Sequence, residues 1–276
     1  MPAITTNIAA NSAVRYLNIN SNQETSALSK LSSGSRITAA SDDAAGLAIS
    51  TRISSDVTAL QQAATNAAQA NAILQTADGG ASNISDILAR MKSLASESAS
   101  GTTVDSSRAY INSEFTQLTS EIDSIASGTR YSGQTLLDNT SPFKGTGVSV
   151  LVGSGATDTI SIALSDLRSA TLFGAAAPTV DTQTNATAAL TALDTAINTV
   201  SGARASIGAL ESRFNFSADS IQTQTQNLQA ANSAIRDVDV AAEQAMLSSA
   251  EVKTQAAVSA ETAANQMPQY LLKLLG

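Results

Sequence analysis

The chain has 276 residues and a formal net charge of −8, and its 43% hydrophobic content includes only 3% aromatics. Aromatic side chains bury the most area per residue, so apolar content carried by Ala, Leu, Ile and Val suits thin helix seams better than a thick globular core. The acidic balance disfavours phosphate binding, and the absence of Cys and His removes disulfides, thiolate chemistry, the usual zinc ligands and imidazole catalysis.

The first twenty residues have neither a basic nor an apolar segment of the kind a secretory signal carries, and no run approaches the length of a membrane span. Residues 3–33 predict a first helix, with Val14, Leu17, Leu28 and Leu31 at heptad spacing and Ser21 and Glu24 interrupting the stripe. Gly34 is placed to close it in the left-handed conformation. Ser41 is then expected to cap the next helix, with Asp42 and Asp43 at the positive end of its dipole.

From about residue 42 to 99 one helix of about 85 Å is predicted. It carries Ile53, Leu60, Ala67, Leu74, Ala81, Leu88 and Ala95 at steps of seven, and the phase is kept across Gly79 and Gly80, which favours continuity. Sustained heptads keep one seam of a helix facing a partner helix. A third helix over about 104–127 places Val104, Ile111, Phe115, Leu118, Ile122 and Ile125 mostly at steps of three and four.

The centre changes period. Val148, Val150 and Val152, then Ile160, Ile162 and Leu164, alternate as in strands, and residues 153–158 between them form a connection of hairpin length. Residues 165–187 read as surface loop. A second stripe of seven, Leu193, Val200, Ile207, Phe214, Ile221, Leu228 and Ile235, predicts a helix over about 186–235. Residues 240–266 continue as an Ala- and Gln-rich helix, closing on Ala257, Ala260, Ala264, Met267, Leu271 and Leu274, with Pro268 expected to kink or restart the last turn.

The predicted fold is mainly α: a long antiparallel coiled-coil-like bundle, or rod, with a small β-hairpin region and paired N- and C-terminal helices. Asp42, Asp43, Asp237, Asp239 and Glu243 read as helix caps and solvated surface. Without His no serine triad can be assembled. No Gly-Lys-Ser/Thr follows the central glycines, so they form turns rather than a phosphate loop. Both chain ends are amphipathic and have only each other as partner, which buries little; further copies would complete the burial, and head-to-tail contacts then generate a helical filament.

Six segments carry a resemblance. Residues 31–50 (LSSGSRITAASDDAAGLAIS), 88–95 (LARMKSLA), 133–137 (GQTLL), 211–215 (ESRFN) and 235–243 (IRDVDVAAE), together with the tail 264–275 (ANQMPQYLLKLL), resemble bacterial flagellins of a minimal form without large outer domains. The resemblance implies a non-enzymatic subunit that self-assembles into the flagellar filament for swimming, without cofactors or metals. The alternative it leaves is a hook-filament junction protein. Residues 1–41 and 236–276 would form the filament core, residues 42–130 and 188–235 the rod, and 131–187 the hairpin and surface loops.

Assembly contacts are expected from Ile4, Ile8, Val14, Leu17, Leu28, Leu31, Met246, Val252, Met267, Leu271, Leu274 and Leu275. Packing within the rod is expected from the large residues of both stripes and from Ile111, Phe115, Leu118 and Ile122. Implied partners are further copies of the chain, junction and cap proteins, and an export chaperone on the C-terminal region; nucleic acid and membrane spans are not expected. Export through the flagellum's own channel, with no cleaved signal, would lead to an extracellular location. Leu88, Arg90, Leu94 and Glu114 match an innate-receptor patch of some flagellins, although Ala89 and Ser93 stand where the recognised form has longer polar side chains.

Overall fold

The structure is a computed structural model that describes residues 6–174 and 177–275, with side chains through Met267. In chain order it contains α1 (Ile8–Ser33), α2 (Ala44–Ala99), α3 (Asp105–Gly128), β1 (Arg130–Tyr131), β2 (Gln134–Thr135), β3 (Val148–Leu151), β4 (Thr159–Ile162), α4 (Ser169–Leu172), α5 (Gln183–Arg236) and α6 (Val240–Leu275). These elements divide into two compact units: one of residues 1–57 and 227–276, the other of residues 58–226. Among the described residues no helix is long and apolar enough to cross a membrane.

The 58–226 unit is built on its two long helices. Leu60, Ala63, Ala67, Ala70, Leu74, Ala77, Ala81, Ile84, Leu88, Met91 and Ala95 alternate steps of four and three along α2, and all are buried. On α5 the buried set is Ala186, Ala189, Leu193, Ala196, Val200, Ala203, Ile207, Phe214 and Ile221. Lys92 meets Asp194 at 2.6 Å, Asp78 accepts from Arg204 at 2.8 Å and Asn71 donates to Asn215 at 2.7 Å, an order that makes the pairing antiparallel. Hydrogen bonding to Asp78 raises the pKa of Arg204.

α2 passes unbroken through its two glycines. At Gly80 a Cβ would lie 2.4 Å from Thr129 Oγ1 and 2.9 Å from Leu137 Cδ1, so the chain after α3 seats directly on the helix backbone. α3 buries Ile111, Phe115 and Ile122, with Leu118 half-buried, and its buried Arg108 donates to the carbonyls of Ser98 and Ser100. A cation thereby closes the negative end of the α2 dipole.

β1 and β2 pair through a two-residue turn in which Ser132 and Gly133 both have positive φ, of 49° and 83°. This is the turn whose twist matches a hairpin. β3 and β4 pair antiparallel, Val148 opposite Ile162 and Leu151 opposite Thr159, as the alternation predicts. The loop region from 165 holds one short helix that the sequence reading lacks, α4, whose start is capped from α3: Asp123 accepts from the Ser169 amide at 2.8 Å and from its hydroxyl at 2.7 Å. α5 begins slightly earlier than expected, at Gln183.

Candidate assembly surface

In the unit of residues 1–57 and 227–276, α1 and α6 pair antiparallel. Asn7 reaches Ala264, Glu24 reaches Thr254, and Lys30 lies 3.8 Å from Glu243. The face α1 turns inward is Ala10, Ala13, Leu17, Asn20, Glu24, Ala27 and Leu31, in alternating steps of three and four. The matching face of α6 is Glu243, Leu247, Ala250, Thr254, Ala257, Glu261 and Ala264. Each face carries three alanines among larger and polar residues. Glu24 therefore belongs to the seam instead of interrupting it.

Two of the four residues of the expected heptad stripe are displaced by one position. Ala13 and Ala27 are buried, while their neighbours Val14 and Leu28 are 38% and 58% exposed. Ile8, Tyr16 and Ile19 on α1, and Val240, Met246, Val252, Val258 and Met267 on α6, are exposed as well, so these two helices carry ten of the fifteen exposed large hydrophobic side chains among the described residues. Leu17 and Leu31 are half-buried at the seam edge. The assembly contacts expected of Ile4, Leu271, Leu274 and Leu275 fall outside the described side chains. Ile53, Leu228 and Ile235, from the ends of the two long stripes, are half-buried in this unit, where Asn232 on α5 donates to Ser54 on α2.

The two interhelix linkers meet. Ser35 bridges Asp237, the Arg36 amide donates to the Arg236 carbonyl, and Val238 donates to the Gly34 carbonyl at 3.2 Å. The Arg36 guanidinium donates to the Ile235 carbonyl at 2.7 Å, placing a cation at the C-terminus of α5. Gly34, at φ 68°, closes α1 in the expected left-handed conformation.

The acidic residues are divided differently from the expectation. Asp43, rather than Ser41, caps α2 by accepting from the Gly46 amide at 2.8 Å. Asp42 faces back and accepts from the amides of Ala39 and Thr38 and from the Thr38 hydroxyl, bonds that lower its pKa. Asp239 caps α6 through the amides of Ala241 and Ala242. Glu243 is not surface at all; it is 7% exposed and sits against Lys30.

Pro268 does not end the last helix, which runs on to Leu275. A proline lacks the amide that would bond the carbonyl four residues back, here that of Ala264. Asn7 takes its place: its side-chain amide donates to the Ala264 carbonyl at 2.8 Å, while its Oδ1 caps α1 by accepting from the Ala10 amide at 3.1 Å.

The proposed receptor patch is not a single exposed face. Leu88 and Leu94 are 0% and 2% exposed because they lie along the α2 seam, whereas Arg90 and Glu114 are exposed and paired at 2.7 Å. Val104, expected in the α3 stripe, precedes the helix as its N-cap and is exposed. Among the described residues no group of three or more Asp, Glu, His or Cys could hold a metal ion.

Two family models match: the bacterial flagellin N-terminal helical region over residues 4–141 and the bacterial flagellin C-terminal helical region over residues 190–275. The chain belongs to the bacterial flagellin family. It is 37% identical to a flagellin of Halalkalibacterium halodurans over 98% of both chains. It is 33% identical to the flagellar filament 30.7 kDa core protein of Treponema maltophilum, again over 98% of both. The crystal structure of Bacillus cereus flagellin aligns with a TM-score of 0.52 and 29% identity, covering 61% of this chain and 94% of that one. This flagellin is a structural subunit of a filament, and the family places that filament outside the cell.

Proposed function

We propose that the α1·α6 pair is the surface through which copies of this flagellin join. The observation that carries the reading is the concentration of exposed apolar side chains on those two helices, since single folded chains rarely leave contiguous large apolar patches in water. Identical copies covering one another's apolar strips recover the lost burial. The inward seam holds each pair together, and the outward Ile8, Val14, Leu28, Met246, Val252 and Met267 are left for neighbours. Leu17 and Leu31 contribute at the seam edge.

On this reading residues 1–41 and 236–276 form the filament core, residues 42–130 and 188–235 the rod, and residues 131–187 the outer hairpin and loops. The protein acts mechanically and not as an enzyme, transmitting thrust along the filament. The chain travels unfolded through the flagellum's own channel without a cleaved signal, shielded beforehand by an export chaperone on its C-terminal region. Junction and cap proteins bound its two ends of growth.

Deleting residues 264–276 tests the central claim. The 58–226 unit should keep its helical circular dichroism, while filaments disappear from electron micrographs. Filaments of normal length from the truncated chain would refute it.

A further inference from the structure

The α1·α6 pair is held at its two ends by different means. At one end the linkers are bridged through Ser35 and Asp237. The other end lies one helix length away, about 39 Å for the 26 residues of α1. There the cross-helix hydrogen bond is that from Asn7 to Ala264. Along the seam six of the fourteen facing residues are alanine, and the side-chain hydrogen bond that crosses it between the ends, from Thr254 to Glu24, is long at 3.4 Å. Alanines present little shape to lock one axial position against the next, and buried polar pairs are what specify register in such seams.

We propose that Asn7 is the positioning residue of the assembly surface, clasping α1 to α6 through the carbonyl that Pro268 leaves open. One side chain performs two tasks. Its oxygen starts α1 by accepting from Ala10, and its nitrogen supplies to α6 the donor that residue 268 lacks. A helix carbonyl without a donor is a specific docking point, because its neighbours along the helix are already occupied by amides four residues on. A slip of one residue would offer Asn7 a carbonyl already engaged. The clasp stands beside two outward apolar residues, Ile8 and Met267, which are 71% and 61% exposed, so it fixes how they are presented together.

This inference rests on the assembly reading above, and the experiment separates the two. Four full-length chains are compared: the natural one, Asn7→Asp, Pro268→Ala and the double variant. Asn7→Asp keeps the oxygen that caps α1 but loses the donor to Ala264. Pro268→Ala supplies that donor from the backbone. Critical concentration for growth from filament seeds is measured for each, with Val252→Asp as the control on the exposed face.

Asn7→Asp should raise the critical concentration about tenfold, the scale of one unsatisfied carbonyl. In the Pro268→Ala background the same change should cost less than twofold, a rescue that a general loss of helix stability would not give. An equal effect of Asn7→Asp in both backgrounds, or none in the natural chain, overturns the clasp while Val252→Asp still blocks growth. Normal growth of Val252→Asp overturns the assembly surface itself.

Discussion

Gly79 and Gly80 are chemically identical neighbours in one helix, yet opposite outcomes are expected when each becomes alanine. A Cβ at Gly79 meets nothing within 4 Å, so Gly79→Ala should stabilise the 58–226 unit by about 0.5–1 kcal/mol through helix propensity. At Gly80 the added carbon collides with Thr129 and Leu137, and Gly80→Ala should cost about 1–3 kcal/mol by overpacking. Urea unfolding followed by circular dichroism reads both. Asp166 sets a second expectation at this scale. Burial alone would raise its pKa, but hydrogen bonds from the Arg168 guanidinium, the Thr171 hydroxyl and the Arg168 amide outweigh that and bring it down to about 2. A carboxyl whose folded pKa lies below its unfolded value stabilises fully above the unfolded pKa, and the contribution fades as pH falls toward 2. Between pH 6 and pH 2 this group should withdraw about 2 kcal/mol from the 58–226 unit. Asp166→Asn should lower stability at pH 6 and flatten that acid limb; an unchanged limb would show that the acid sensitivity lies elsewhere.

Long periodic elements were the most legible in the sequence. Steps of seven identify α2 and α5 because each seam position repeats one physical demand, burial against a facing helix, and alternation in the valines and isoleucines identifies β3 and β4 for the same reason. The proposed assembly surface, the face that α1 and α6 leave exposed, was legible in composition but not in phase. Large residues such as Val14 and Leu28 draw the eye to the wrong face, since the seam of α1 is filled by the alanines beside them. Capping was misplaced for a related reason: Asp42 and Asp43 are adjacent, and the course of the preceding turn decides which one faces α2. α4 carries no periodic signal in four residues and depends on Asp123 far earlier in the chain. A kink or restart is expected at Pro268 because a local rule cannot see Asn7. Burial also ranks the elements for mutation. Phe214 is fully buried in the α5 seam, so Phe214→Ala should cost about 3–5 kcal/mol. Phe216 is 76% exposed two residues on, and Phe216→Ala should leave thermal unfolding of the monomer nearly unchanged.

For the molecule as a whole, the apolar strip on α1 and α6 predicts a difference between the free chain and the filament. Segments with few buried contacts open most easily. Residues 1–40 and 236–276 should therefore be cleaved rapidly in monomers, with trypsin cutting after the exposed Arg15 and Lys253, and should be protected once assembled. Equal rates in both states would count against covering of this surface by neighbouring copies. The antiparallel meeting of α1 and α6 also bears on the order in which a cell makes the protein. Its two halves are encoded at opposite ends of the described chain, so an interrupted synthesis yields α1 without the helix that completes it. Such a fragment has the sticky residues but neither the seam nor the Ala264 carbonyl to align them. If α1 and α6 are the joining surface, as proposed, competence to assemble is conferred last, and an incomplete product lacks the geometry to join.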